Sequence, residues 1–427
     1  MTAFIAFVLL LGLMAIGVPI AISLGLAGMV LLALFVGPEV LRVVPQQFIG
    51  SLDVFTLLAI PMFILAGTLL GTGGVAARLV NLAMAGVGSV RGGLGMVVVV
   101  STIFFSGVSG SSSADTAAIG SITLPAMRKR GYPPTFAAAI VAVGGATAVL
   151  IPPVIDLVII GVVANISIAA LFAAGIVPGV LNGLAMVALT YFIARRMKLP
   201  TERRLSPREM GRAVLAGIPA LTVAVIILGG ILGGVFTPTE AAGVAVAYAL
   251  LISLVVYRDL KVRDLPRVVA VTGRITGIVM LLVGMASVFS WYLTYQGVPR
   301  DLGGWLSEIP HPVLFLLMVN VVFLFIGMVM DALPAIIVLM PILVPIAADL
   351  GIHPVHFGIV VEANIALGMI TPPVGVVLYT ACAIARIPME SVVRPLLPYL
   401  AAMFVMLLLI TYVSAITLFL PSLLGLI

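Results

Sequence analysis

The chain is poor in charge, in histidine and in cysteine. Only 8% of its 427 residues are charged while 63% are hydrophobic. No water-soluble fold buries that share of apolar surface, so the sequence reads as an all-α polytopic protein set in a lipid bilayer. A single cysteine, Cys382, excludes an internal disulfide and any cysteine-based metal site. Two of the three histidines form the pair His353-x-x-His356. No third ligand stands near it and Pro354 breaks the helix geometry, so a loop-end pair is expected rather than a metal site. The net charge of +6 lies mostly in loops. It reports topology, and no nucleic-acid partner is expected. Met1 leads straight into an apolar segment without a basic leader or small-residue cleavage motif, so no cleavable signal is expected.

Against this apolar background one stretch stands out, Gly107-Val-Ser-Gly-Ser-Ser-Ser-Ala-Asp115. Its flanks, Leu94 to Phe105 and Ala117 to Met127, are about a dozen residues each, short of the roughly 20 helical residues a bilayer core needs. Arg91 precedes the first flank and Arg128-Lys129-Arg130 follow the second. The pattern predicts a re-entrant hairpin at 92–127 whose polar tip stops in mid-membrane, where broken backbone must be buried by protein or line a wet cavity. Further apolar segments fall at 2–17, 18–36, 53–71, 168–194, 213–234, 238–257, 270–295 and 395–420. Interrupted segments fall at 134–165 and 355–386, and a second hairpin is expected at 312–348. The loop from Arg195 to Arg212 carries seven cations against two acids, which places it in the cytoplasm and both termini in the periplasm.

The two halves echo one another. Asp115 to Pro125 is ten residues, as is Asp331 to Pro341; Gly131 to Pro152-Pro153 is 21, as is Gly351 to Pro372-Pro373. Each glycine is followed three later by a proline, and each proline pair by a valine. An inverted repeat, 1–205 and 206–427, accounts for these coincidences, each half with about five spans and one re-entrant hairpin. Such repeats are a transporter signature.

Proline pairs break helices, because they remove amide donors and clash with preceding carbonyls. The carbonyls so freed at Gly144–Pro153 and Gly368–Gly375, with nearby hydroxyls, suit Na⁺, and new half-helix N-termini suit a carboxylate. Ser109, Ser111 and Ser112 are placed to cap the second hairpin arm, with Asp115 in its first turn. The second tip, Gly327-Met-Val-Met-Asp331, has no hydroxyl, so an ion there relies on backbone carbonyls and Thr371. Asp156 and Glu362 are costly in a membrane, about 2.5–3.5 kcal/mol at helix centre, so function is their default reading. A helix-start role weighs equally for Asp156. Glu240, in Thr237-Pro-Thr-Glu240, reads as a cap. No arginine or lysine falls in either hairpin or in the middle of either interrupted span. An anionic solute is therefore held by N–H groups, hydroxyls and co-bound cations.

The chain resembles the large membrane subunit of tripartite ATP-independent periplasmic (TRAP) transporters. The residues that carry the resemblance are Ser109-Gly-Ser-Ser112, Pro125-Ala-Met127 with Gly131-Tyr132, Ile151-Pro-Pro153, Phe236-Thr-Pro-Thr-Glu240, Gly351-Ile-His-Pro354 with His356-Phe-Gly358, and Thr371-Pro-Pro-Val-Gly375. The resemblance implies an elevator-type carrier in a bacterial inner membrane, with scaffold and transport domains interleaved along the chain. It implies Na⁺ coupling, a small four-helix membrane subunit, a periplasmic solute-binding protein and a small organic acid as solute. It places one Na⁺ site on Ser109, Ser112, Gly145, Thr147 and the carbonyls near Pro152, and a second on Gly327, Gly368 and Thr371. Solute contacts are expected from Ser111, Asp115, Asp156, Asp331 and Glu362. The family pattern commonly has serine at the position of Val154, a neutral residue at Asp156 and an apolar one at Glu362. Either acid would repel a dianion, so the expected solute is less charged than a dicarboxylate.

Two other readings compete. A stand-alone Na⁺/anion symporter would share the architecture and need no binding protein. Gly107-Val-Ser109-Gly110 also fits the pattern of rhomboid intramembrane serine proteases, but a serine nucleophile needs a base within reach, and the histidines lie by loops near the ends of later segments. The expectation is therefore a carrier and not an enzyme.

Overall fold

The protein is described here from a computed structural model covering residues 2–72, 74–298 and 311–427. Among these residues the regular structure is helical apart from one isolated bridge, Arg91 to Thr201. In chain order the α-helices are α1 (Thr2–Ala15), α2 (Ile20–Phe35), α3 (Val44–Leu52), α4 (Ala59–Thr72), α5 (Val75–Val87), α6 (Gly93–Ser109) and α7 (Ser112–Lys129). Then come α8 (Pro134–Ala148), α9 (Ile155–Val163), α10 (Ile168–Arg196), α11 (Pro207–Leu232), α12 (Pro238–Leu251) and α13 (Leu265–Tyr295). The last are α14 (Pro312–Val329), α15 (Ala332–Asp349), α16 (Pro354–Gly368), α17 (Val376–Ala385), α18 (Val393–Tyr412) and α19 (Ala415–Leu423). Eight helices of the described residues are long and apolar enough to cross a membrane.

Both hairpins and both interrupted spans are present. Helices α6 and α7 form the first hairpin and α14 and α15 the second; α8 breaks before α9, and α16 before α17, at Pro152-Pro153 and Pro372-Pro373. The first hairpin's arms are longer than its apolar flanks, at 17 and 18 residues. That is about 26 Å each at 1.5 Å per residue. The extra length comes from the polar tip itself, since Ser112 to Asp115 form the first turn of α7 rather than a loop. Arm length therefore does not decide where the hairpin stops; the surroundings of the tip do.

Two helices went unforeseen. Val44–Leu52 packs on α13, and Val75–Val87 packs on α6 and α11. Both are short and carry polar residues on one side, so neither registers as a span. The last span is also not continuous: it stops at Tyr412 and resumes at Ala415.

Packing sorts the helices into two groups that alternate along the chain. Helix α13 lies against α2, α3 and α4, α12 against α4, and α11 against α5 and α12. These helices leave apolar side chains such as Leu34, Leu215, Val225 and Ile278 exposed, as lipid contact requires. The other group is built on α8 and α16, buried without interruption from Phe136 to Ala148 and from Val355 to Gly368. A helix apolar all round belongs in the middle of a bundle. The hairpins and α10 enclose these two, and the second arm of each hairpin crosses to the other half: α7 packs on α17 and α15 packs on α9.

Candidate functional site

Each hairpin tip docks on the helix break of its own half. At the first, Gly110 turns the chain in the left-handed region (φ +67°) that glycine alone adopts without strain. Its carbonyl accepts the Ile155 N–H at 3.3 Å, just past the proline pair. At the second, the Met328 carbonyl accepts the N–H groups of Val374 and Gly375, each at 3.2 Å. Ile155 and Gly375 each lie two residues after the second proline of their pair, so the two docks share a main-chain contact. Ser112 Oγ lies 3.5 Å from Met369 Sδ, which joins the first tip to the second break.

The residues expected to hold a first cation lie in the interior of the first half. Ser109, Ser112, Gly145, Thr147 and Pro152 are all buried. Gly145 lies where an added Cβ would come 3.3 Å from the Ser112 carbonyl, so α7 and α8 approach closely. Thr147 Oγ1 is buried with no hydrogen-bond partner. Ser106 Oγ, unforeseen, donates to the Ala148 carbonyl at 2.8 Å and ties α6 to the end of α8. The serines do not cap α7 as expected. Ser111 occupies the cap position, but its side chain accepts no backbone N–H of the first turn. Ser109 Oγ instead donates to Asp115 Oδ1, leaving Asp115 Oδ2 buried and unpartnered. Asp115 is thus an internal organiser of the tip and does not line the cavity below.

The second set relies on backbone. A Cβ on Gly327 would come 3.0 Å from Gly368 Cα, and one on Gly368 would come 2.7 Å from Gly327 Cα. Only glycine at both positions allows this approach. Thr371 Oγ1 already donates to the Leu367 carbonyl at 2.7 Å, which leaves its lone pairs free to face an ion.

Between the two helix groups lies a cavity of about 440 Å³, lined on one side by Ser111, Ser112, Ser113, Asp156 and Asp331. Ile64 of α4, with Ile275 and Val279 of α13, forms the facing wall. A second cavity of about 290 Å³ shares Ile64, Ser111, Ala114, Ile155 and Ile275 with it and extends along Gly67, Thr68 and Phe105. No lysine or arginine is among the lining residues of either. The first turn of α7 contributes N–H groups that have no partner within the helix. Of the residues expected to touch solute, Ser111, Asp156 and Asp331 line the larger cavity; Asp115 and Glu362 do not, being 0% exposed. The facing wall was not foreseen, since nothing in the composition of α4 or α13 sets its residues apart from lipid-facing ones.

The pair His353 and His356 is structural. His353 Nδ1 accepts the Val355 N–H at the start of α16, and His356 bridges Thr417 Oγ1 at 2.8 Å and the Thr411 carbonyl at 3.1 Å. Neither is a hydrogen-bond partner of Ser109, whose hydroxyl is committed to Asp115.

A sequence profile of the family described as tripartite ATP-independent periplasmic transporter, DctM component, matches residues 7–416. The chain belongs to this family. It is similar to the C4-dicarboxylate TRAP transporter large permease protein DctM of Pseudomonas aeruginosa, 42% identical over 404 residues and 94% of each chain. It is also similar to the sialic acid TRAP transporter large permease protein SiaM of Vibrio cholerae, 37% identical over 414 residues and 97% of each chain. The fold matches the crystal structure of the Alcanivorax borkumensis YdaH transporter with a TM-score of 0.66 over 89% of each chain, at 15% identity. As a DctM component it is a multi-span transporter permease and not an enzyme, and the serine-protease reading of Ser109 falls away.

Proposed function

We propose that this DctM-family chain is the large permease of a Na⁺-coupled, elevator-type importer of a small organic acid. A periplasmic binding protein delivers the solute, and a small membrane subunit braces the scaffold. The observation that carries the reading is the cavity bounded by the first hairpin tip and by Asp156 and Asp331, with Ile155, two residues past the first proline pair, and Met369, three before the second, in its wall. One Na⁺ rests on Ser109, Ser112, Gly145, Thr147 and the carbonyls near Pro152. The unpartnered Thr147 hydroxyl supports this, because a buried oxygen without a donor is a cost that a cation removes. A second rests on the backbone around Gly327 and Gly368 with Thr371. The carboxylate of the solute meets the first turn of α7 and the Ser111 hydroxyl. The two halves run in opposite directions through a bacterial inner membrane, the basic loop 195–212 is cytoplasmic, and both termini are periplasmic.

Asp156 and Asp331 in the cavity wall favour a monocarboxylate over a dianion, since each would face a second negative group at close range. The test is uptake by proteoliposomes holding this chain, its membrane partner and its binding protein. Labelled sialic acid and succinate serve as probes, with Na⁺ or K⁺ outside. Uptake that needs Na⁺ and the binding protein, with sialic acid preferred, is the expected result. Uptake by this chain alone would establish the stand-alone symporter, and Na⁺-independent uptake would remove the ion sites.

A further inference from the structure

Glu362 is left without a role by the cavity, and its surroundings assign it one. It sits in mid-α16, 0% exposed, and neither carboxyl oxygen has a hydrogen-bond partner. Helices α16 and α9 touch where a Cβ on Gly358 would come 3.2 Å from Ile160 Cγ2. One turn from that contact on α16 stands Glu362, and one turn from it on α9 stands Asp156, each on the contacting face because residues four apart share a face. The two carboxyls thus stand along one helix contact, and Asp331 shares the cavity wall with Asp156. Asp156 is partly exposed and lines the solute cavity.

The other elements packed against α16 offer no counter-charge. Helices α8, α14 and α19 carry no ionisable side chain. Helix α15 brings Asp331 and Asp349 at its ends. Helix α10 brings Tyr191 and the exposed Arg195 and Arg196 at its far end, and α18 brings Arg394, Tyr399 and Tyr412. Tyr399 is bonded to Thr190, and His356 of α16 itself to Thr411 and Thr417. None of these groups hydrogen-bonds to Glu362. A sealed carboxylate with no donor, and a second carboxylate on the same helix contact, do not form a stable dianionic pair.

We propose that Asp156 and Glu362 form a proton-binding site, with Glu362 holding the proton in the dry interior and Asp156 connecting it to the solute cavity. A proton leaves cavity water, an O–H bond forms on Glu362, and the charge of the pair falls from −2 to −1. The site then travels with the cavity wall, and its proton exchanges with whichever side the cavity faces. This goes beyond sodium coupling and stands on the α9–α16 contact, whether or not the solute is an organic acid.

Infrared difference spectroscopy of the purified chain in lipid tests it without any solute. The wild-type chain at neutral pH is expected to show the carbonyl stretch of a protonated, non-hydrogen-bonded carboxylic acid, lost in E362Q at unchanged thermal unfolding temperature. D156N is expected to change the pH at which that band disappears. A wild-type band that survives in E362Q, or one indifferent to D156N, overturns the pair. Replacing K⁺ by Na⁺ supplies the remaining arm: a band abolished by Na⁺ makes Glu362 a sodium ligand and overturns the proton site. A band unaffected by the swap supports it. Sodium-driven uptake of succinate or sialic acid is measured separately, so its failure would count against the carrier reading alone.

Discussion

The two hairpin tips reach the same kind of dock with different means. At the first, a carbonyl meets an N–H beyond the proline pair, and around it crowd Ser106, Ser109, Ser112 and Asp115. At the second, a carbonyl meets two such N–H groups, and the space is closed by glycine on glycine. One corner is specified by side-chain chemistry and the other by backbone proximity. A side-chain corner tolerates small movements and depends on particular oxygens. A backbone corner depends on little but the distance between two chains.

The largest expected effect is at the backbone corner. Gly368→Ala inserts a methyl 2.7 Å from Gly327 Cα. Both neighbours there are main chain and do not give way, so overpacking of about 1–3 kcal/mol is expected. Thermal unfolding measures that loss, and uptake in proteoliposomes should fall as the two chains are forced apart. Near-normal uptake would show that the close approach is dispensable. Next comes Ser109→Ala, which strips Asp115 of its donor and leaves a buried carboxylate with no partner. A loss of about 1–3 kcal/mol is expected, and the S109A/D115N double variant should recover part of it. Equal and additive losses would mean that the two side chains act independently.

A third pair of variants sharpens the comparison directly. Thr147→Val removes a hydroxyl with no protein partner, so stability should hold within about 1 kcal/mol while half-saturating Na⁺ rises by about tenfold. Thr371→Val removes a hydroxyl already bonded to Leu367, and should move half-saturating Na⁺ less than about threefold at a stability cost near 1 kcal/mol. The reverse order would exchange the roles given to the two corners. The smallest effect lies far from both. Thr237 accepts the Glu240 N–H at 3.3 Å while Glu240 accepts the Thr237 N–H at 2.8 Å, so Thr237→Ala should cost about 1 kcal/mol of stability and leave uptake unchanged.

How much of this was legible beforehand follows from what each feature depends on. The breaks at Pro152-Pro153 and Pro372-Pro373 and the turn at Gly110 are local consequences of residue type, and they fall where the chain announces them. The Thr237–Glu240 cap was legible for the same reason. The serines of the first tip were misassigned because a hydroxyl chooses among partners that only the fold brings within range: Ser109 Oγ donates to Asp115 and accepts the Ser111 N–H at 3.4 Å, and no serine side chain caps the first turn of α7. Helices α3 and α5 escaped because they are too short and too polar to stand out in a search for spans. The cavity wall of Ile64, Ile275 and Val279 was illegible on principle, since an isoleucine facing solute and one facing lipid have the same local sequence signature.

The crossing of hairpin arms has a mechanical corollary. Because α7 leans on α17 and α15 leans on α9, each half clasps the far piece of the other, like two hands holding opposite wrists. Pulling one tip away from its break would drag the partner's half-helix with it. A handshake of this kind resists hinging in its middle. It moves, if at all, as one block against the lipid-facing helices around it.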